Sequence, residues 1–263
     1  MSETAMLLQA VDEVAKLAAS VAHGYFGSRL DVEFKGDGSP VTIADRAAES
    51  AAREWIARRF PDDDVLGEEM AGDRRPGRRC WIVDPIDGTK TFVRGVPLWG
   101  TLVGVALGDR VIAGAACFPA LGESLAAALG EGCWWNGSRC RVSLVGELSA
   151  ATVLTTDEEF RAAPRRRAAW RSLAAESRMS RSWGDCYGYL LVATGRAEAM
   201  LDGQLAPWDS AALLPAITEA GGVFTDWHGR ETAFGGSAIA TNAALAATVR
   251  ERLNQHGAGD SLS

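Results

Sequence analysis

Asp84 and Asp87 stand close together in Trp81-Ile82-Val83-Asp84-Pro85-Ile86-Asp87-Gly88-Thr89, so hard oxygen ligands fall beside a turn able to hold an anion. Glu68 and Glu69, after Gly67, add acid just upstream. Hydrolysis of a phosphate monoester needs an activated water, charge neutralisation on the phosphoryl oxygens and help for the leaving oxygen. Bound divalent cations supply all three, and they take carboxylates, main-chain carbonyls and waters as ligands. A strand-to-helix turn with Asp as a cap is the plain alternative for this stretch alone.

The elements around it follow from the pattern of apolar residues. Trp81-Ile82-Val83 suits a buried strand that Asp84 ends, because Pro85 has no N–H to donate. Gly88-Thr89 then opens a helix. Met6 to Phe26 reads as an amphipathic helix with Leu7, Val11, Val14, Leu17, Ala18 and Val21 on one stripe. Gly36 to Pro40 is a loop, and a second helix runs from about Ile43 to Arg59, with Pro61 after it. Leu98 to Ala106, Val111 to Phe118 and Ser124 to Leu129 read as strands, and Asn136-Gly137 as a turn. Beyond them come a strand over Ala151 to Thr155, a helix from Asp157 to Glu176, and a helix from Gly184 to Thr194. A strand from Ala197 to Leu201 and a helix from Trp208 to Ala220, stopped by Gly221-Gly222, follow. Ala238 to Thr241 reads as the last strand and Ala243 to Leu253 as the last helix, with a disordered tail from Gly257. The chain divides on this reading into a half over residues 1–146 and a half over 147–263. Arg161, Arg165, Arg166, Arg167 and Arg171, on or near the helix from Asp157, read as a solvated face, with a protein contact as the alternative.

At 263 residues the chain is long enough to bury a sizeable core. A formal charge of −7 argues against a broad basic face for nucleic acid, yet leaves anionic substrates open, since bound metal reverses the local sign. Cys80, Cys117, Cys133, Cys140 and Cys186 are odd in number and contain no Cys-x-x-Cys, which points away from zinc and disulfide frameworks and towards a reducing cytoplasm. His23, His228 and His256 lie far apart and form no ligand spacing. No signal peptide or membrane span is expected.

The order of motifs resembles that of the inositol monophosphatase family of magnesium-dependent phosphomonoesterases. Gly67-Glu68-Glu69, Asp84 to Thr89 and Trp208-Asp209 match the family's Gly-Glu-Glu, its D-P-[IL]-D-G-T and its Trp-Asp at a late helix, and Asp45 matches an upstream acid. The match runs from the N-terminal helix to about Asn242. It implies a mixed α/β fold, a layered αβαβα sandwich with the site between two halves. It also implies two or three Mg2+ ions, a small-molecule phosphate ester as partner, no nucleic acid or membrane, and a homodimer. By the same resemblance Glu68, Asp84 and the Ile86 carbonyl hold one metal, and Asp84, Asp87 and Asp209 hold a second. Glu68 and Thr89, with Asp45 behind Thr89, place the attacking water, and the N–H groups of Gly88 and Thr89 receive the phosphate. Asp45 equally fits a capping box with Thr42, and Asp209 a plain helix-start acid. Glu69 is expected outside the ligand set, and Lys35 near the site or simply exposed.

Lys90 to Leu102 and Ser182-Trp183-Gly184-Asp185-Cys186-Tyr187-Gly188-Tyr189 resemble the histidinol phosphatase branch. Histidinol phosphate carries an ammonium and an imidazole, and Asp185 is a reasonable partner for either; a helix N-cap is the alternative for it. Asp202 stands where inositol-specific relatives place a longer Glu, and with Asp87 and Asp185 it completes the expected substrate contacts. The expected activity is hydrolysis of L-histidinol phosphate. The alternatives are an inositol-1-phosphate or broad sugar-phosphate phosphatase, a 3′,5′-bisphosphonucleotide phosphatase, and an inactive regulatory protein of the same fold.

Overall fold

The computed structural model describes residues 2–36 and 38–255. Helix α1 spans Glu3–His23, earlier than the apolar stripe alone suggests, because Ser2 caps it by accepting the Ala5 N–H at 3.0 Å. Its buried face runs through Leu7, Val11, Val14, Ala18 and Ala22, while Leu17, expected on that face, lies at its margin and is 37% exposed. Strands β1 (Glu33–Phe34) and β2 (Pro40–Val41) form a short antiparallel hairpin within which Lys35 falls. Helix α2 (Ile43–Arg59) starts at a capping box: Asp45 accepts the Thr42 N–H at 2.8 Å, and Thr42 Oγ1 accepts from Ala44 at 3.1 Å. Ala44, Ala48, Ala52 and Ile56 share an apolar cluster with α1, and the three alanines let the two helices approach closely.

Seven strands follow in one sheet: β3 (Asp64–Gly67), β4 (Arg79–Asp87), β5 (Gly100–Leu107), β6 (Arg110–Phe118), β7 (Glu123–Ala128), β8 (Gly132–Trp135) and β9 (Ser138–Arg139), with a single turn of helix, α3 (Thr89–Phe92), between β4 and β5. They lie side by side in chain order. Only β3 and β4 run parallel, so the turn after β3 and the far end of β4 reach the same edge. Strand β4 does not end at Asp84. It continues through Pro85 to Asp87, with one extra residue relative to β5, since Asp84 faces Leu102 and Asp87 faces Gly100. The bulge tolerates the proline, whose carbonyl accepts from Thr101 Oγ1 at 2.7 Å.

The second sheet contains β10 (Thr152–Leu154), β11 (Met179–Arg181), β12 (Ala199–Asp202), β13 (Gly222–Thr225) and β14 (Ala238–Asn242), in the order β11-β10-β12-β14-β13. Its helices are α4 (Arg167–Glu176), α5 (Asp185–Ala193), α6 (Pro207–Ser210), α7 (Leu213–Glu219) and α8 (Ala246–Gln255). The helix expected from Asp157 starts only at Arg167. Asp157 instead ties a turn through the Glu159 and Arg161 N–H groups, and Pro164 opens a 3-10 turn, Pro164–Arg166. Arg161, Arg165 and Arg166 therefore lie off the helix; Arg166 covers the Trp227 ring and bonds the Gly203 carbonyl. The helix expected from Trp208 to Ala220 is broken at Ala211-Ala212 into α6 and α7. The region from 257 onward, expected as a tail, and His256 lie outside the described residues.

Three apolar clusters define the layers. Helices α1 and α2 cover one face of the large sheet. Helices α5 and α7 fill the space between the sheets. Helices α4 and α8 cover the outer face of the small sheet through Trp170, Leu173, Val249 and Leu253. The order is α, β, α, β, α. Among the described residues no helix is long and apolar enough to cross a membrane.

The Ala211-Ala212 break sits directly on Gly104 and Gly114 of the large sheet, where an added Cβ at Gly114 would press into the Ala212 backbone. Gly114→Ala should therefore displace the segment just after Asp209. Overpacking of this kind costs about 1–3 kcal/mol, a fall in Tm of roughly 2–12 °C at this chain length. Thermal melts of the variant check it, and an unchanged Tm would show that the break has room to move.

Candidate active site

The two parallel strands place the acids. The Glu68 N–H donates to the Val83 carbonyl at 3.1 Å, which sets Glu68 beside Asp84. In a regular strand, residues three apart point to opposite faces. The bulge in β4 adds the residue that brings Asp84 and Asp87 to the same side. Asp209, from the first turn of α6, joins them, and one carboxylate oxygen from each of Asp84, Asp87 and Asp209 lies within 4.8 Å of the others. Each of the three also holds a peptide N–H. Asp84 accepts from Ile86 at 3.0 Å, Asp87 from Cys186 at the start of α5, and Asp209 from Ala206 at 2.7 Å. Backbone bonds thus orient each carboxylate while leaving it a second oxygen.

The remaining expected residues surround this cluster. Thr89 Oγ1 lies 3.0 Å from the Ile86 carbonyl and 3.4 Å from Asp45 Oδ1, so its single proton can go to either. Asp45 is at once the cap of α2 and the neighbour of Thr89. Gly88 turns the chain at φ 88°, a conformation suited to glycine. Lys35 bridges Glu68 and Glu69 with its ammonium, at 2.6 and 2.7 Å. Glu69 is thus a nearly buried ion-pair partner.

Asp185 does not cap α5. It lies inside the helix at φ 50°, a sparsely used region for a residue with a side chain, and its N–H donates to Thr156 Oγ1 at 2.8 Å. The strained turn aims its carboxylate at Thr91 Oγ1, 3.3 Å away, and towards Gly88. Asp202 is 4% exposed, and both its oxygens are engaged, by the Thr156 N–H at 3.1 Å and the Tyr189 hydroxyl at 2.9 Å. It lines an inner cavity of about 160 Å3 behind Asp185. Thr156, which holds both aspartates, carries no sequence signal; only the meeting of β10 with α5 reveals it. The open cleft in front, of about 510 Å3, is lined by Glu68, Asp87, Thr89, Lys90, Asp185 and Asp209.

So many acids in one place disturb one another. Burial first, then the charges of Glu68, Asp87 and Asp209, pushes Asp84 well above the ordinary carboxylate range. Burial, then Asp185 and Asp209, does the same to Asp87. Asp209 is pushed up to about 7, chiefly by burial, against the pull of the Ala206 N–H. Burial also raises Glu69 to about 7 and Asp202 to about 6. Around Lys35, burial works against the charge, but the bonds from Glu68 and Glu69 outweigh it and hold the ammonium charged. Converging carboxylates of raised pKa, supplying only oxygen, are a donor set suited to a hard divalent cation.

The fold and this cluster define a phosphatase, a hydrolase of phosphoric monoesters. The chain belongs to the inositol monophosphatase family, whose model matches residues 4–258. It is 43% identical over 233 residues to a histidinol-phosphatase of Chlorobaculum parvum, covering 88% of this chain and 90% of that one. It is 32% identical to a fructose-1,6-bisphosphatase/inositol-1-monophosphatase of Aquifex aeolicus, covering 81% and 84%. Its fold matches a solved inositol monophosphatase from Zymomonas mobilis with a TM-score of 0.86 at 28% identity, covering 97% of this chain and 100% of that one.

The raised carboxylates fix a pH dependence. An acid with a higher pKa folded than unfolded binds more protons when folded, so without metal its contribution falls as pH rises from about 4 to about 7, the window set by Asp209. Asp84 and Asp87 act in the same sense. A cation must displace those protons. The rise in Tm on adding Mg2+ should therefore be small at pH 5.5 and several-fold larger at pH 8. Equal rises at both pH values would contradict the cluster's role.

Proposed function

We propose that this phosphatase is magnesium-dependent and acts on L-histidinol phosphate. The observation that carries the substrate is Asp185, a carboxylate held in a strained turn at the cleft wall and aimed past Thr91 towards the turn at Gly88. The likeness to a histidinol-phosphatase supports the same reading.

Glu68, Asp84 and the Ile86 carbonyl hold one ion on this reading, and Asp84, Asp87 and Asp209 hold another. When bound, magnesium neutralises the phosphoryl oxygens and makes a water nucleophilic near neutral pH. Thr89 places that water: its hydroxyl donates towards Asp45, which leaves its lone pairs to accept from the water, while Glu68 supplies a carboxylate as the water's second partner. The N–H groups of Gly88 and Thr89 bind the phosphate at the turn. Asp185 pairs with the cationic end of the substrate. On this reading Asp202 acts from behind the cleft, where it fixes Thr156 and Tyr189, and Thr156 fixes Asp185. The test is a panel of phosphate esters with Mg2+, comparing kcat/KM for histidinol phosphate, inositol 1-phosphate, fructose 1,6-bisphosphate and adenosine 3′,5′-bisphosphate. Preference for any of the last three replaces the substrate assignment.

Two variants probe the roles. Asp84→Asn keeps the shape and removes a charge that both ions would need. It should lower kcat by at least about 100-fold, within the range that acid–base and electrostatic groups contribute, and chelation of the wild type should abolish turnover. Wild-type rates from either would remove the metal mechanism. Asp185→Asn keeps a side chain that tolerates positive φ and removes the charge. A bond to a charged group is worth about 1.5–3 kcal/mol. On histidinol phosphate kcat/KM should thus fall about 10- to 100-fold, while p-nitrophenyl phosphate is turned over as before. Parallel losses on both esters would assign Asp185 to the fold alone.

A further inference from the structure

Glu49 on α2 is fully buried and takes no part in the cleft. Its carboxylate accepts three donors. Oε2 takes the Glu69 N–H at 2.8 Å, and Oε1 takes the Met70 N–H at 3.2 Å and Arg53 Nε at 2.7 Å. Arg53 reaches on to the Met70 carbonyl at 2.6 Å and, at 3.4 Å, to those of Val65 and Ala71. An ion pair four residues apart on a helix needs neither burial nor peptide partners. This one is buried against the backbone that leaves β3. Gly67 has no room for a side chain, because a Cβ there would overlap the Glu49 carboxylate.

We propose that Glu49 is a positioning residue that sets the place of Glu68 by gripping the two peptide N–H groups following it. The proposal rests on the reading of Glu68 as a metal ligand. Glu68 is then pinned on both flanks: its own N–H binds the Val83 carbonyl, which fixes it beside Asp84, and the next two N–H groups bind Glu49. A ligand must be held within about 0.5 Å of its working position by such supports. Asp45, Glu49 and Arg53 recur every four residues and so share one face of α2. That face presents in order the partner of Thr89, the grip on the Glu68 segment, and the counter-charge of that grip. The glycine of Gly67-Glu68-Glu69 follows from the same contact, as the residue that lets the carboxylate come close enough to bind.

The experiment compares Mg2+ binding by calorimetry, melting curves and amide hydrogen exchange for the wild type and for Glu49→Gln, Gly67→Ala, Glu68→Gln and Ile56→Val. Ile56 is buried on the same helix about two turns beyond Glu49 and makes none of the Glu49 hydrogen bonds, so its truncation lowers stability without removing the grip. Glu49→Gln should weaken Mg2+ about 10- to 100-fold, the usual effect of losing a ligand's support, and should speed exchange in the peptide covering 68–70. Gly67→Ala, which displaces the same carboxylate from the other side, should do likewise and carries the test if Glu49→Gln does not fold. Ile56→Val should lower Tm and leave Mg2+ binding intact. If Glu49→Gln and Gly67→Ala bind Mg2+ like Ile56→Val while Glu68→Gln binds it weakly, Glu49 is structural only and the proposal fails. If Glu68→Gln itself binds Mg2+ normally, the metal reading fails first, and that arm alone reveals it.

Discussion

Carboxylates forced together in one place govern the rest of this structure. Two unit charges 4.8 Å apart, the outer limit for oxygens of Asp84, Asp87 and Asp209, oppose each other by roughly 3–4 kcal/mol at an effective dielectric constant of 20. No chain gathers three such groups for stability. The arrangement is tolerable only with protons or a cation between them, and the fold must hold the oxygens against their repulsion meanwhile. It does so with peptide N–H groups, from the bulge for Asp84, from the start of α5 for Asp87, and from the turn before α6 for Asp209.

That requirement explains the layering around the cluster. The N–H groups must come from backbone that has no other partner, and bulges and helix starts are where such backbone occurs. Helices α5 and α6 therefore point their first residues at the C-terminal end of β4, and the break at Ala211-Ala212 lets α6 lie close on Gly104 and Gly114. Helix α2 serves from the opposite side, with Asp45 reaching Thr89 at 3.4 Å. The site lies where these elements meet the large sheet.

What the sequence revealed depended on how local the cause was. Asp84 to Thr89 is contiguous, so its chemistry was legible, as were α2 with its Thr42–Asp45 box and strand β6. The end of β4 was misread because a proline usually halts a ladder, and only pairing with β5 shows the bulge that carries it. The break between α6 and α7 answers to glycines of two strands of the other sheet, about a hundred residues earlier. The positive φ of Asp185 has no signature of its own and depends on Thr156. The overlong helix from Asp157 was avoidable, since Pro164 stood in its path.

On the proposed reading, reaction class and substrate choice are held by different kinds of contact. The clustered carboxylates constrain one another, so moving any one changes the field on all the rest. Asp185 meets the protein through a hydrogen bond from its N–H to the Thr156 hydroxyl and a long contact to Thr91. Asp202 stands further back, with Thr156 between them. Exchange of Asp185 would remove one charge from the cleft wall, leaving the N–H groups that orient Asp84 and Asp209 in place. The field of the cluster limits what can replace it: Asp185 already raises Asp87, so a neutral residue there relieves the site whereas another acid maintains the strain. An acid at that position is thus electrostatically unfavourable beside Asp87, and a cationic substrate group next to it would offset that cost. On the proposed reading this gives the wall of the cleft a selectivity that the carboxylate cluster alone does not have.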